Sequence, residues 1–125
     1  MVTQDGRVLD ILRVNGPLGR LAAAVRISKD GREASFDAQS DFVDLPGGAK
    51  KFTIRHDPQS NMYWSLTNYV LPADRNLSPG GARNTLALIA SPDLRDWTVK
   101  CVVLHHPDTH QHAFQYVDWE SRVMI

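Results

Sequence analysis

Hydrophobic and polar positions alternate through most of this chain, in short runs separated by turn-forming residues. Residues 50–57 (KKFTIRHD) and 62–70 (MYWSLTNYV) carry β-branched and aromatic side chains at near-alternating positions, as half-buried strands require. The intervening DPQSN makes them a hairpin. Residues 84–91 (NTLALIAS) and 97–106 (WTVKCVVLHH) flank a second turn, SPDLRDW, in which Pro92 has no N–H for a ladder and Asp93 and Asp96 can accept from nearby backbone. This is a second hairpin. The polar segment 71–83 joins the two and holds two prolines and the adjacent Gly80 and Gly81, so it reads as a loop.

The same order recurs upstream, shifted by one strand. Residues 7–15 (RVLDILRVN), 21–30 (LAAAVRISKD) and 32–45 (REASFDAQSDFVDL) read as strands two, three and four of a similar unit, with Asp30 and Gly31 as the tight turn. Downstream, residues 112–120 (HAFQYVDWE) align with residues 50–57 as a first strand, Phe114 falling on Phe52 and Tyr116 on Ile54. The expected fold is therefore all-β, a partial β-propeller. Residues 1–48 form a blade lacking its inner strand, residues 49–108 a complete four-stranded antiparallel blade, and residues 109–125 the first strand of a next blade. A closed ring of roughly four to eight blades needs more chain, so the expectation is one open arc, a fragment.

Composition narrows the function without choosing it. The chain has 125 residues, 42% of them hydrophobic, a mean hydropathy of −0.31 and no apolar run near the ~20 residues of a membrane helix. Fourteen basic and fourteen acidic residues cancel, which gives no electrostatic case for nucleic acid or an anionic membrane as partner. A carbohydrate or another small molecule remains. The single cysteine, Cys101, lies in an alternating strand and reads as a small buried hydrophobe, leaving the compartment undetermined. The N-terminal stretch VTQDGRVLD has no apolar core of a signal peptide.

The segments PGGAKKFTIRHDP, YWSLTNYVLP, RNTLALIASPDLRDW and HAFQYVDWE, with their spacing, resemble bacterial sialidase-like propeller proteins of the exo-α-sialidase type. SPDLRDW is similar to the Asp box of sialidase propellers, S-x-D-x-G-x-x-W, but is one residue shorter and has Arg95 where the glycine falls. It is equally similar to the S-x-D-L-x-x-W turn of five-bladed glycoside hydrolases. Its role in either family is structural: the aspartate caps the hairpin and Trp97 packs between strands. The resemblance implies hydrolysis of terminal glycosidic bonds, with substrate bound at the face opposite this turn. The chain departs from the family in having no F/Y-R-I-P motif, no complete three-arginine cluster and no identifiable tyrosine nucleophile with its acidic partner.

Four segments reach the face that the resemblance assigns to substrate: residues 15–19, 46–51, 68–84 and 105–112. Lys50 and His112 stand at equivalent positions before two inner strands and are the leading substrate contacts. Lys50 offers a compact charge to a carboxylate or hydroxyl, and His112 a group that exchanges protons near neutral pH. Arg83 opens strand three with a fork suited to a carboxylate, and Asn68 at the end of strand two can orient sugar hydroxyls or cap backbone. The run HHPDTHQH holds four histidines and Asp108, but its spacing fits no closed zinc signature, so no metal and no cofactor is assigned. His105 and His106 should point apart, whereas His110 and His112 would share a side. Arg55 lies near the other face, and Tyr116 reads as core.

Glycoside hydrolysis by the usual route needs two carboxylates flanking the bond, one of them replaced by tyrosine in sialidases. Asp44, Asp74 and Asp108 are on the favoured face, yet no surrounding motif assigns them a role, so the catalytic residues stay unnamed. The expectation is a fragment of a sialidase-like glycoside hydrolase, inactive alone. Its alternative is a non-catalytic carbohydrate-binding or protein-interaction propeller. An open arc also leaves unpaired edges and apolar sheet faces through which copies can self-associate.

Overall fold

A computed structural model describes residues 1–16, 19–78 and 80–122. The regular structure among them is β, with a short 3-10 turn at Pro72–Asp74 and a 3-10 residue at Gly19. Two antiparallel sheets of four strands form, and neither closes. No helix of the described residues is long and apolar enough to cross a membrane.

The first sheet follows the hydrophobic pattern and then departs from it. Strand β1 (Val8–Arg13) pairs with β2 (Leu21–Ile27) from Val8↔Ile27 to Arg13↔Ala22. The stretch expected to be one strand over residues 32–45 is instead split into β3 (Ala34–Ser35) and β4 (Phe42–Asp44), which pair with opposite ends of β2. Residues 36–41 leave the ladder because they bond among themselves. Asp41 N donates to Asp37 O at 2.8 Å, and the Asp41 carboxylate accepts Asp37 N at 2.7 Å. The Asp30-Gly31 turn forms as expected, with Gly31 at φ +74 and its N–H bonded to Ser28 O.

The second sheet is the four-stranded meander that the two hairpins imply. Strands β5 (Ile54–Asp57), β6 (Met62–Thr67), β7 (Thr85–Ser91) and β8 (Thr98–His105) lie in that order. β6 alternates buried and half-buried residues, and β7 is buried along nearly its whole length, as a central strand covered on both faces must be. β5 is shorter than its alternating pattern: Thr53 O accepts from Ser65 Oγ and from Trp119 Nε1, which takes that carbonyl out of the ladder.

The sheets pack on one another. Ala22, Ala24, Val43 and Leu45 of the first meet Ile89 of the second, with Ile11, Phe52, Ile54, Trp97 and Val99 at the margin. A second cluster joins Leu9, Tyr63 and Leu94. Alanines on β2 let the partner side chains approach closely, so the seam is narrow. At one end the seam carries a charged tie. Asp41, 1% exposed, meets Arg26 Nη2 at 3.0 Å and Arg95 Nη2 at 3.5 Å, while Arg95 Nη1 donates to Ser40 O at 2.7 Å. Arg95 is the residue standing where the Asp box has glycine, and here it stitches the second sheet's turn to the first sheet's excursion.

Three further expectations fail. Residues 112–120 form no strand, because no neighbour offers them a ladder: Phe114 N bonds Arg83 O, Arg55 Nε donates to Trp119 O, and Tyr116 takes φ +57, which breaks extension. Tyr116 is not core but 61% exposed. Cys101 is exposed too, since β8 is the outer edge of its sheet and almost all of its residues face solvent.

Candidate functional site

Four chain segments meet at one end of the second sheet: the turn entering β5, the loop from β6 to β7, the start of β7, and the irregular segment leaving β8. The entering turn is tight because two glycines occupy it. Gly47 has φ +82, and a Cβ on Gly48 would lie 2.5 Å from Leu21 O, closer than any real side chain comes. This close approach carries Lys50 inward, its N–H on Gly47 O, until the residue is 0% exposed. Lys50 is therefore not a rim residue open to ligand, contrary to expectation. Burial, and then the charge of Arg83, lower its ammonium pKa from 10.5 to about 8.

Asn68 is also buried, and its amide is spent on backbone. Nδ2 donates to Phe114 O at 2.6 Å and to Thr85 O at 3.3 Å, so it clamps the segment after β8 onto the sheet instead of facing a sugar. Arg83 grips the same segment from the other side. Its Nε donates to Gly80 O at 3.0 Å, its Nη1 to Gln115 Oε1 at 2.6 Å, and its backbone oxygen accepts Phe114 N at 2.8 Å. The guanidinium carbon lies 5.6 Å from the centroid of the Tyr116 ring, and Lys51 Nζ lies 5.8 Å from that centroid. Among the described residues, this end therefore presents an exposed aromatic ring with two cations against it.

His112 belongs to a neighbouring cluster. Its Nδ1 is 3.1 Å from Asp108 Oδ2, and its ring stacks on His106 with centroids 3.5 Å apart and planes 9° from parallel. His106 Nδ1 accepts Asp108 N at 3.0 Å. The backbone N–H of His110, then the His112 side chain, hold the Asp108 carboxyl below its usual range. His105 turns the other way, toward Thr85 Oγ1 at 3.0 Å, as adjacent strand residues should. Asn84 ties this corner together, donating to His106 O at 2.8 Å and to Asp74 Oδ2 at 3.1 Å.

Of the four expected substrate contacts, Asn68 and Arg83 thus converge on residues 114–115, Lys50 is buried within reach of the charge of Arg83, and His112 sits two residues upstream of Phe114 in its own cluster. Each candidate acid has a partner of its own. Asp44 pairs with Arg20 at 2.9 Å, Asp74 accepts from Asn84, and Asp108 serves the histidines. Asp118 pairs with Arg55 at 3.0 Å. Sequence reasoning missed Tyr116, whose exposure depends on a left-handed backbone that no local motif announces. It also missed a gathering of three arginines at the opposite end, where Arg7, Arg26 and Arg95 line a cleft with Asp41 and Asp93. That cleft holds about 20 Å³, roughly one water, and Asp41 answers two of its three cations. It is a structural salt network.

No protein-family model, curated protein or solved structure matches the chain.

Proposed function

We propose that the chain is part of a sialidase-like propeller whose rim binds an acidic sugar, and that by itself it binds without hydrolysing. The single observation that carries this reading is the exposed Tyr116 ring with Arg83 and Lys51 against it. A pyranose stacks its C–H face on such a ring, and a carboxylate on the sugar meets the fork of Arg83 at Nη2, the nitrogen beyond the two that position the group. The buried Lys50, close enough to feel the charge of Arg83, adds to the positive field. The four-stranded meander of the second sheet supports the blade assignment, and the two unclosed sheets agree with an open arc.

The non-catalytic side of the reading has its own support. Hydrolysis needs two carboxylates, or a carboxylate and tyrosine, on either side of one bond. Asp44, Asp74 and Asp108 are each taken up by a partner: Arg20, Asn84 and His112. The test is a ligand-observed NMR titration with 3′-sialyllactose and with lactose, alongside a fluorogenic sialoside assay. Saturation transfer to the sialyl residue, none to lactose, and no turnover are the expected results. Equal transfer to both sugars, or none to either, would overturn the acidic-sugar reading, and turnover would overturn its non-catalytic half.

A further inference from the structure

The cluster beside the rim has a chemistry that the sugar reading does not use. His106, Asp108 and His112 each offer one ligand atom, and these atoms lie within 4.8 Å of one another. Two imidazoles and one carboxylate form a donor set suited to divalent first-row transition metals, with coordination positions left open for water or a ligand. His106 and Asp108 are half-buried, while the His112 side chain is 47% exposed, so the set has a solvent side by which an ion can enter.

We infer that His106, Asp108 and His112 form a binding site for a divalent transition-metal ion of the zinc class. One donor pair is already spaced for it. His112 Nδ1 and Asp108 Oδ2 are 3.1 Å apart, and two donors at that separation subtend about 95° at a metal ~2.1 Å from each. The ion replaces the hydrogen bond between them: His112 coordinates through Nδ1 as the neutral imidazole, its one ring proton on Nε2, and any second ring proton is released to solvent. Backbone N–H groups of His110 and Gln111 bond the Asp108 carboxylate at 2.9 and 3.2 Å, which fixes its orientation as outer-shell partners do.

One rearrangement is required. The imidazole planes are 9° from parallel, so their lone pairs run side by side instead of meeting at one point. His106 Nδ1 also holds the Asp108 N–H. The His106 ring must turn about χ2, a soft torsion, and release that bond. The site is therefore weaker than a preformed structural zinc centre, and its affinity falls as pH drops and protons compete for the imidazoles. His110 lies outside the triad, although the sequence spacing had paired it with His112. The inference does not depend on the sugar reading.

The experiment is calorimetric titration of untagged protein with Zn²⁺, followed through histidine side-chain ¹⁵N NMR of the wild type. Expected are one bound Zn²⁺ per chain, ring-nitrogen shifts at His106 and His112 with none at His110, and no competition from excess Mg²⁺. Asp108→Asn and His112→Gln each weaken binding more than the ~10–100-fold of losing an outer-shell partner, and His110→Gln leaves it unchanged. Absence of Zn²⁺ binding, shifts confined to His105 or His110, or binding unaffected by His112→Gln would overturn the site. The NMR shifts decide the matter in wild-type protein should either variant fail to fold.

Discussion

Replacing Lys50 by methionine stabilises this protein at neutral pH. Methionine keeps the unbranched stem and fills nearly the same space, but removes an ammonium group held at 0% exposure. The magnitude follows from the lowered pKa. A fall from 10.5 to about 8, at ~1.4 kcal/mol per pH unit, means that folding with the charge in place costs about 3 kcal/mol as an upper bound. Losing the contact that Lys50 makes in its buried position returns about 1 kcal/mol of that. The variant is then more stable by about 1–2 kcal/mol at pH 7. The sign of the pH dependence is fixed. Below about 8 both folded and unfolded chains carry the proton and the full cost is present, whereas between about 8 and 10.5 only the unfolded chain binds it. Wild-type stability therefore rises with pH through that window, and the advantage of Lys50→Met shrinks and reverses. Urea unfolding of both proteins at a series of pH values reads the difference directly. A difference that stays flat between pH 7 and 10.5, or a variant several kcal/mol less stable at neutral pH, would refute the reasoning, because either shows the ammonium to be well accommodated.

Three further outcomes are expected. Arg95→Gln removes the bond to Ser40 O that ties the two sheets and lowers stability by about 1–2 kcal/mol in urea unfolding, and an unchanged midpoint would show that the tie contributes nothing. Asp41, Asp57 and Asp93 have carboxyl pKa values below the usual 3.8, so their contribution is present above 3.8 and is lost as pH falls through the lower folded values. The urea midpoint should hold down to about pH 5 and drop below about pH 4, and a drop already complete at pH 5 would show that these carboxylates do not carry the acid lability. The outward face of the first sheet aligns Leu12, Ala23 and Phe42 in one cross-strand row, with Leu12 and Phe42 each more than two-fifths exposed and Phe36 packed edge-on against Phe42. Sedimentation should show concentration-dependent association that Phe42→Lys reduces, and a wild-type monomer at all concentrations would remove that row as a contact surface.

How far the chain could be read in advance depends on where each bond is made. β1, β2, β6, β7 and β8 were legible because alternation and β-branched content are local properties, and Gly31 announces its turn. The excursion at residues 36–41 was not, because it depends on Asp41 meeting Arg26 and Arg95, the second of them far along the chain. Residues 112–120 show the limit of aligning one strand with another. The letters match residues 50–57, but a strand also needs a ladder partner, and the backbone here bonds to Arg83, Asn68 and Arg55 one group at a time. At the site, the meeting of three segments, residues 46–51, 68–84 and 105–112, was legible; the fourth expected segment, 15–19, includes residues 17 and 18, which lie outside the described residues. The state of each residue was not: Lys50 is drawn under by Gly47 and Gly48, Asn68 is consumed as a clamp, and Tyr116 is turned outward. SPDLRDW did what its pattern implies, with Asp93 Oδ1 accepting the N–H groups of Arg95 and Asp96, and Trp97 packed at the seam.

Backbone amide shift mapping during titration with 3′-sialyllactose tests whether the rim around Arg83 and Tyr116 binds the sugar. Binding there gives saturable shifts clustered at Lys51, Arg83, Gln115 and Tyr116, abolished by Arg83→Gln, with Ser91, Asp93 and Trp97 at the opposite end unmoved. Shifts centred on the Ser91–Trp97 turn, or a titration that Arg83→Gln leaves intact, would contradict it.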